Sequence, residues 1–171
     1  KVDSFGGCVH TKDMPPDNDK IKLISQYKFY LAFENSNCKD YVTEKYFQAL
    51  HVGTVPIVFG APNINEFAPA NHSIINVEDF PSPKALADYV KYLDENDDRY
   101  LEYLAYKDTT PGSGDGIGKV YPEWKNRFQP MGNGWEVMGF CKLCQYAASR
   151  KPMKTNYVRS PCRNLHVNLK P

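Results

Sequence analysis

The sequence lacks a long apolar run: no stretch of 18 consecutive apolar residues occurs among its 171 residues. A membrane-spanning helix needs about 20 predominantly apolar residues, so no membrane span is predicted. The first residues, from Lys1, also lack the basic and then apolar pattern of a secretory signal. We therefore expect any targeting or anchoring segment to lie outside this sequence.

An excess of one charge is also absent, because 21 Lys and Arg residues nearly balance 20 Asp and Glu residues. Their distribution is uneven. Residues 78–102 hold eight acids and three bases, whereas residues 141–171 hold seven bases and no acid. A basic tail of this kind can contact nucleic acid or an anionic membrane surface. We interpret it as a solvated tail and predict no nucleic-acid partner.

Cysteine is plentiful, with five residues: Cys8, Cys38, Cys141, Cys144 and Cys162. Together with the N-glycosylation sequon Asn71-His72-Ser73, this number favours the secretory pathway. The odd count leaves at least one thiol free or paired outside the sequence. The spacing of Cys141, Cys144, Cys162 and His166 also fits a zinc site. Disulfides are the commoner fate in a secretory protein, so we predict no metal site.

The first half of the sequence predicts a strand–helix–strand unit. Lys28 to Phe33 is an almost continuous apolar run, typical of a strand buried on both faces. Asp40 can cap a following helix and Gly53 can end it in the left-handed conformation. The expected buried stripe of this helix is Val42, Tyr46, Ala49 and Leu50. Thr54 to Phe59 then predicts a second strand, parallel to the first.

The pattern continues with a strand over residues 73–77 and a helix that starts at Ser82 and Pro83. Its expected core stripe is Leu86, Tyr89, Val90 and Leu93. A further helix over about residues 98–106 is expected to bury Leu101, Leu104 and Ala105. This alternation predicts an α/β fold with a Rossmann-like sheet in residues 1–107. We predict that residues 108–171 form a loop-rich appendage.

Polar residues cluster where the first predicted strand ends and its helix begins. Glu34-Asn35-Ser36 follows the strand, and residues 40–45 open the helix. Ligands of open α/β sheets bind at the carboxyl ends of strands, and helix N-termini favour phosphates. Helical spacing places Tyr41, Glu44, Lys45 and Gln48 on one face. This set predicts a nucleotide-sugar site, although an exposed face with an adjacent Glu-Lys pair is the simpler alternative.

Two segments of the sequence carry a strong resemblance to a known signature. They are residues 27–36, Tyr27-Lys28-Phe29-Tyr30-Leu31-Ala32-Phe33-Glu34-Asn35-Ser36, and residues 40–45, Asp40-Tyr41-Val42-Thr43-Glu44-Lys45. Both strongly resemble the signature of the alpha-1,3/4-fucosyltransferase family. Four further segments share the resemblance: residues 2–8, 53–56, 60–64 and 103–107.

The resemblance implies transfer of L-fucose from GDP-fucose, with inversion, in alpha-1,3 or alpha-1,4 linkage to GlcNAc of a glycoprotein glycan. It implies a donor-binding set in which Asn35, Tyr41, Glu44 and Lys45 hold GDP-fucose and Glu34, Val42 and Thr43 shape the same pocket. Because a lysine can neutralise a departing diphosphate, we assign leaving-group stabilisation to Lys45. Family members have two Rossmann-like lobes, a GT-B-like arrangement. We expect this chain to be the donor lobe, inactive alone, with the catalytic base in an acceptor lobe that this sequence does not contain.

The same resemblance implies a Golgi membrane protein of type II with its catalytic part in the lumen. It implies that no metal is required, although manganese can stimulate. Family members pair the Cys-x2-Cys cysteines, here Cys141 and Cys144, with cysteines of the preceding half. Separately, Cys8 and Cys38 lie before and after the predicted buried strand, and we predict that they bridge to each other. Two alternative functions stay open: a protein O-fucosyltransferase of the same family and a non-catalytic nucleotide-sugar-binding module.

We predict that Asn71 lies in an exposed turn and carries a glycan in protein made by a eukaryotic secretory host, because Pro69 and Ala70 precede it in a turn-like segment. Treatment with an N-glycosidase should lower the mass of the wild-type protein and leave Asn71→Gln unchanged. An unchanged wild-type mass would contradict the prediction.

Overall fold

The computed structural model describes residues 2–107. Our predictions for residues 108–171, including Cys141, Cys144 and the zinc alternative at Cys162 and His166, lie outside the described residues. Within residues 2–107, no helix is long and apolar enough to cross a membrane.

The described part of the chain forms three parallel strands in the order β1-β2-β3. They are β1 (Phe29–Phe33), β2 (Val55–Phe59) and β3 (Ile75–Asn76). The α-helices are α1 (Lys20–Ile24), α2 (Glu44–Val52), α3 (Pro83–Glu95) and α4 (Asp97–Glu102). Short 3-10 helices span Ile64–Phe67, Val77–Asp79 and Ala105–Lys107. The predicted α/β fold with a parallel sheet is confirmed.

Strand β2 is the central strand and has a core on each face. On one face, α2 packs over Ala32 of β1 and Val58 of β2, together with residues of the loop after β2. On the other face, α3 and α4 cover Val55 and Ile57. Residues 55–58 are all buried, as expected for a strand between two helical layers.

Strand β1 differs from its prediction, because only one of its faces is well covered. Ala32 is buried, whereas Leu31 and Phe33 on the opposite face are 42% and 40% exposed. Among the described residues β1 is an edge strand, with a strand on only one side. The apolar run correctly predicted a strand here. The prediction that this strand is buried on both faces was wrong, because β2 is buried on both faces and β1 is not.

Helix α2 starts later than predicted. Asp40 does not cap it: Asp40 has a positive φ of 65° and lies in a turn, and the N-cap position belongs to Thr43. The other features agree with the prediction. Tyr46, Ala49 and Leu50 are buried, and Gly53 ends the helix in the left-handed conformation with its N–H bonded to the Ala49 carbonyl.

Helix α3 begins as predicted, with Pro83 in its first turn and Ser82 as N-cap. The Ser82 hydroxyl oxygen accepts a hydrogen bond of 3.1 Å from the Ala85 N–H. Leu93 is buried, and Leu86, Tyr89 and Val90 pack against the same core.

Helix α4 buries a different face from the one predicted. The helix ends at Glu102, earlier than predicted, and of the three expected core residues only Leu104 packs against the core, whereas Leu101 and Ala105 are exposed. The buried residues here are three tyrosines, Tyr100 in α4 and Tyr103 and Tyr106 just after it. Each phenol has a partner: Tyr100 donates to the Lys28 carbonyl, Tyr106 donates to the Leu50 carbonyl, and Tyr103 bonds Tyr89. A tyrosine can therefore bury its ring here without leaving its hydroxyl unsatisfied.

Two leucines on neighbouring helices test this orientation. Leu93 on α3 is 1% exposed and Leu101 on α4 is 55% exposed. We expect Leu93→Ala to lower the free energy of unfolding by about 2–5 kcal/mol, because it leaves a cavity in the core. Leu101→Ala should change it by no more than about 0.5 kcal/mol. Urea unfolding of both variants measures the difference, and equal losses would contradict the assigned face.

Candidate functional site

The candidate site lies where the carboxyl ends of β1 and β2 meet. The Glu34 N–H donates to the Phe59 carbonyl at 2.9 Å, which continues the pairing one residue beyond the strands. Two loops leave this edge, residues 34–43 toward α2 and residues 60–63 toward the first 3-10 helix. Such an edge is where parallel α/β sheets bind ligands.

The Glu34 carboxylate joins the end of β1 to the start of α2. Its Oε1 accepts from the Thr43 N–H at 2.7 Å and from the Thr43 hydroxyl at 2.8 Å. Its Oε2 lies 3.2 Å from Lys45 Nζ. The Glu34 side chain is 6% exposed. The predicted site residue is therefore present, but it is turned inward and occupied by partners from the protein.

Lys45 supplies a cation in the first turn of α2. Its Nζ lies 3.1 Å from the Thr43 hydroxyl oxygen and 3.7 Å from a Glu44 carboxylate oxygen, and its side chain is 25% exposed. Partial desolvation lowers the pKa of Lys45. The hydrogen bond and charge of Glu34, together with the charges of Glu44 and Tyr41, raise it by more, so the pKa lies above its ordinary value. Lys45 is therefore charged at neutral pH.

Glu44 provides an anion beside this cation, and it is exposed. Desolvation raises its pKa, but the hydrogen bond from its own backbone N–H and the charges of Lys45 and Lys20 outweigh that effect and leave the pKa below its ordinary value. The start of α2 thus presents an ionised carboxylate and an ammonium group side by side.

The N-terminus of α2 adds to the positive potential at this edge. Thr43 makes no side-chain capping bond to the helix, because its hydroxyl bonds Glu34 instead. Helix N-termini carry partial positive charge and bind anions. Together with Lys45, this end of the helix suits an anionic ligand such as a diphosphate.

Tyr41 is held outside the helix by a pair of side chains from the two loops. The Asn63 Oδ1 accepts from the Asp40 N–H at 3.0 Å, and Asn63 Nδ2 donates to the Asp40 carboxylate at 2.9 Å. These bonds fix the turn that precedes Tyr41, whose side chain is exposed. Our sequence reasoning missed this role of Asn63. Its position just after β2, at the same sheet edge, was the available signal.

The structure thus brings together most of the predicted site residues, but not as one helix face. Asn35, Tyr41, Glu44 and Lys45 reach the surface of the site, whereas Glu34, Val42 and Thr43 face inward. Tyr41 precedes the helix, and Gln48 is partly buried with no hydrogen-bond partner for its Oε1. Within residues 2–107, no group of three or more His, Cys, Asp or Glu side chains is arranged to hold a metal ion.

The predicted bridge between Cys8 and Cys38 does not form. Residues 4–12 fold back on themselves, with Phe5 bridged to His10 and the Ser4 carbonyl bonded to the Thr11 N–H. Cys8 lies at the tip of this turn as an exposed free thiol. Cys38 is disulfide-bonded, but not to Cys8.

Asn71 lies in an exposed turn, followed by His72 with a positive φ of 52°. Ser73, the third residue of the sequon, is buried, and its hydroxyl donates to the Ala70 carbonyl at 2.7 Å. The predicted exposure of Asn71 is confirmed, and its glycosylation stays a prediction.

A parallel α/β sheet with a cationic helix start at its carboxyl edge defines a class of proteins that bind anionic ligands, nucleotides among them. Residues 1–160 match the family described as glycosyltransferase family 10 (fucosyltransferase), C-terminal part. The chain belongs to this family.

Individual relatives give finer detail. The chain is 49% identical over 116 residues to GDP-fucose protein O-fucosyltransferase 3 of Danio rerio, a match that covers 63% of this chain and 25% of that protein. It is 45% identical over 115 residues to the protein of the same name from Xenopus laevis, covering 62% and 24%. A crystal structure of an alpha1,3-fucosyltransferase with GDP-fucose is 31% identical, covering 73% of this chain and 34% of that one, with a TM-score of 0.49.

The chain therefore spans about a quarter of the length of these two curated relatives.

Gly60 tests the packing behind the site. A Cβ atom at Gly60 would lie 2.9 Å from both Cβ and Cγ of Glu34, whereas a Cβ at Gly7 has nothing within 4 Å. We expect Gly60→Ala to lower the free energy of unfolding by about 1–3 kcal/mol, because Glu34 must move. Gly7→Ala should change it by no more than about 0.5 kcal/mol. Urea unfolding compares them, and a neutral Gly60→Ala would contradict the close approach.

Proposed function

We propose that this chain is the donor-binding part of a fucosyltransferase that uses GDP-fucose. The observation that carries the proposal is the position of Lys45, a charged and partly exposed ammonium group in the first turn of α2 at the carboxyl edge of the sheet. Membership of the fucosyltransferase family supports this donor.

In this proposal the anomeric C–O bond to the β-phosphate breaks, and its electron pair leaves on the phosphate oxygen. Lys45 and the N-terminus of α2 stabilise that developing charge. Glu44 accepts hydrogen bonds from hydroxyl groups of the donor, Tyr41 packs beside a ring, and Asn35 lines the same pocket. The acceptor oxygen forms the new bond with inversion, and its proton passes to a base contributed by an acceptor lobe.

For the acceptor, we propose a hydroxyl group of a protein rather than GlcNAc of a glycan. The identity of 45–49% with two GDP-fucose protein O-fucosyltransferases favours this choice over the alpha-1,3 or alpha-1,4 linkage that the signature first suggested. The complete protein should be assayed with GDP-fucose and two acceptors, a folded secretory domain rich in Ser and Thr and an N-acetyllactosamine glycan. Transfer to the glycan alone would overturn this choice.

We further propose that the protein acts in the Golgi lumen, anchored through a segment outside this sequence, and that transfer needs no metal. The exposed sequon at Asn71 supports a lumenal location. A chelator should therefore leave transfer measurable, and added manganese should at most stimulate it. The 171-residue chain alone should bind GDP-fucose weakly and transfer nothing, whereas activity of this chain alone would contradict an acceptor lobe elsewhere.

Lys45→Ala should reduce transfer far more than Lys39→Ala, although each removes one positive charge. Lys39 is exposed and precedes the helix, whereas Lys45 stands in its first turn. A hydrogen bond to a charged group contributes about 1.5–3 kcal/mol, so the loss for Lys45→Ala should be about tenfold or more.

The measurement is kcat/KM for GDP-fucose in the complete protein, with Lys39→Ala as the matched control. Near-normal transfer by Lys45→Ala would mean that the leaving group is stabilised elsewhere.

A further inference from the structure

We propose that Glu34 is a positioning residue that aims Lys45 through Thr43, rather than a ligand of the donor. The inference rests on the function proposed above, since it assigns a role within the same site. It departs from the family resemblance, which placed Glu34 among the donor-binding residues.

The Glu34 carboxylate has little capacity left for a ligand. The Thr43 hydroxyl lies 2.8 Å from both oxygens and shares its one proton between them, while one oxygen also accepts from the Thr43 N–H and the other accepts from Lys45. With 6% of the side chain exposed, a donor would have to displace these partners to reach it. An anion so placed would also repel a diphosphate, unless its charge stays paired with Lys45.

The end of β2 and the loop after it hold Glu34 in place. Its backbone N–H donates to the Phe59 carbonyl at the end of β2, and its Cβ and Cγ pack closely against Gly60, where an added Cβ atom would lie 2.9 Å from each. Glu34 is therefore fixed to the sheet. Because its carboxylate bonds Thr43, it also fixes the start of α2 relative to the sheet.

Glu34 also orders the side chain of Lys45. A free lysine side chain samples many rotamers, and ordering it opposes binding. Here the Lys45 ammonium group is held by Glu34 and by the Thr43 hydroxyl oxygen, at 3.2 Å and 3.1 Å, while a quarter of its side chain stays exposed. The cation is thus oriented before a ligand arrives, which is the preorganisation that stabilises charge in a transition state.

Two pairs of variants of the complete protein test the proposal. Glu34→Gln keeps the shape of the side chain and removes its charge, and Glu95→Gln is its control, an exposed carboxylate of α3 that lies 3.7 Å from Lys91. Thr43→Val removes the hydroxyl while its backbone N–H still reaches Glu34, and Thr43→Ser keeps the hydroxyl.

The first readout is independent of fucosyl transfer. Lysines are acetylated with limiting acetic anhydride at mildly alkaline pH, and mass spectrometry gives the rate at Lys45 relative to exposed Lys39. Glu34→Gln and Thr43→Val should each raise this ratio, because a released and less strongly protonated amine reacts faster. Thr43→Ser and Glu95→Gln should match the parent.

The second readout is kinetic. Glu34→Gln should lower kcat for transfer from GDP-fucose by about tenfold, with a smaller change in KM, because a mispositioned Lys45 acts mainly on the departing diphosphate. A purely structural role would instead lower the melting temperature and leave kcat of the folded protein normal at low temperature. Thr43→Ser should recover most of the activity that Thr43→Val loses.

Unchanged labelling of Lys45 in Glu34→Gln, or a normal kcat despite raised labelling, would overturn the proposal. If Glu34→Gln does not fold, the comparison of Thr43→Val with Thr43→Ser decides, and equal labelling in those two would overturn it. If the parent neither binds GDP nor transfers fucose while labelling still rises in Glu34→Gln, the positioning role stands and the proposed function fails.

Discussion

The parallel pairing of β1 with β2 is the constraint on which the site depends. It brings Glu34 and Gly60, which are distant in sequence, to the same edge, with Phe33 opposite Phe59 at the last paired position. Without that register, Glu34 could not occupy the space beside Gly60, and its carboxylate would not meet Thr43. The site is therefore a property of the sheet as much as of the helix that carries Lys45.

Helix α2 is secured at both ends, and by different chemistry. At its start the Glu34 carboxylate, just after β1, accepts hydrogen bonds from the Thr43 N–H and hydroxyl. At its end the Tyr106 phenol and the Lys107 ammonium group both donate to the Leu50 carbonyl. Burial lowers the pKa of Lys107 and raises the pKa of Tyr106. The segment after α4 thus helps to fix the helix whose opposite end forms the site.

The sequence predicted those features that depend on local pattern. Gly53 and Ser82 marked helix ends correctly, since each acts through bonds to nearby backbone. The errors arose where distant partners decide. Asp40 looks like a helix cap, but Asn63 draws it into a turn, and the leucine at 101 was preferred over tyrosines whose hydroxyls find partners far along the chain. The inward orientation of Glu34 likewise depends on Gly60, 26 positions away in the sequence.

Gly53 illustrates how two unrelated demands can fall on one position. Its backbone has a φ of 82°, which asparagine tolerates better than most residues. Yet a Cβ atom there would lie 3.3 Å from Lys107 Cδ, where the lysine stem passes on its way to the carbonyls of α2. Asparagine would tolerate the positive φ, but its Cβ atom would crowd Lys107. Alanine would crowd Lys107 and would also strain the backbone. Glycine avoids both the backbone strain and the close contact with Lys107, so the end of α2 and the path of a remote side chain both favour a residue without a Cβ atom here.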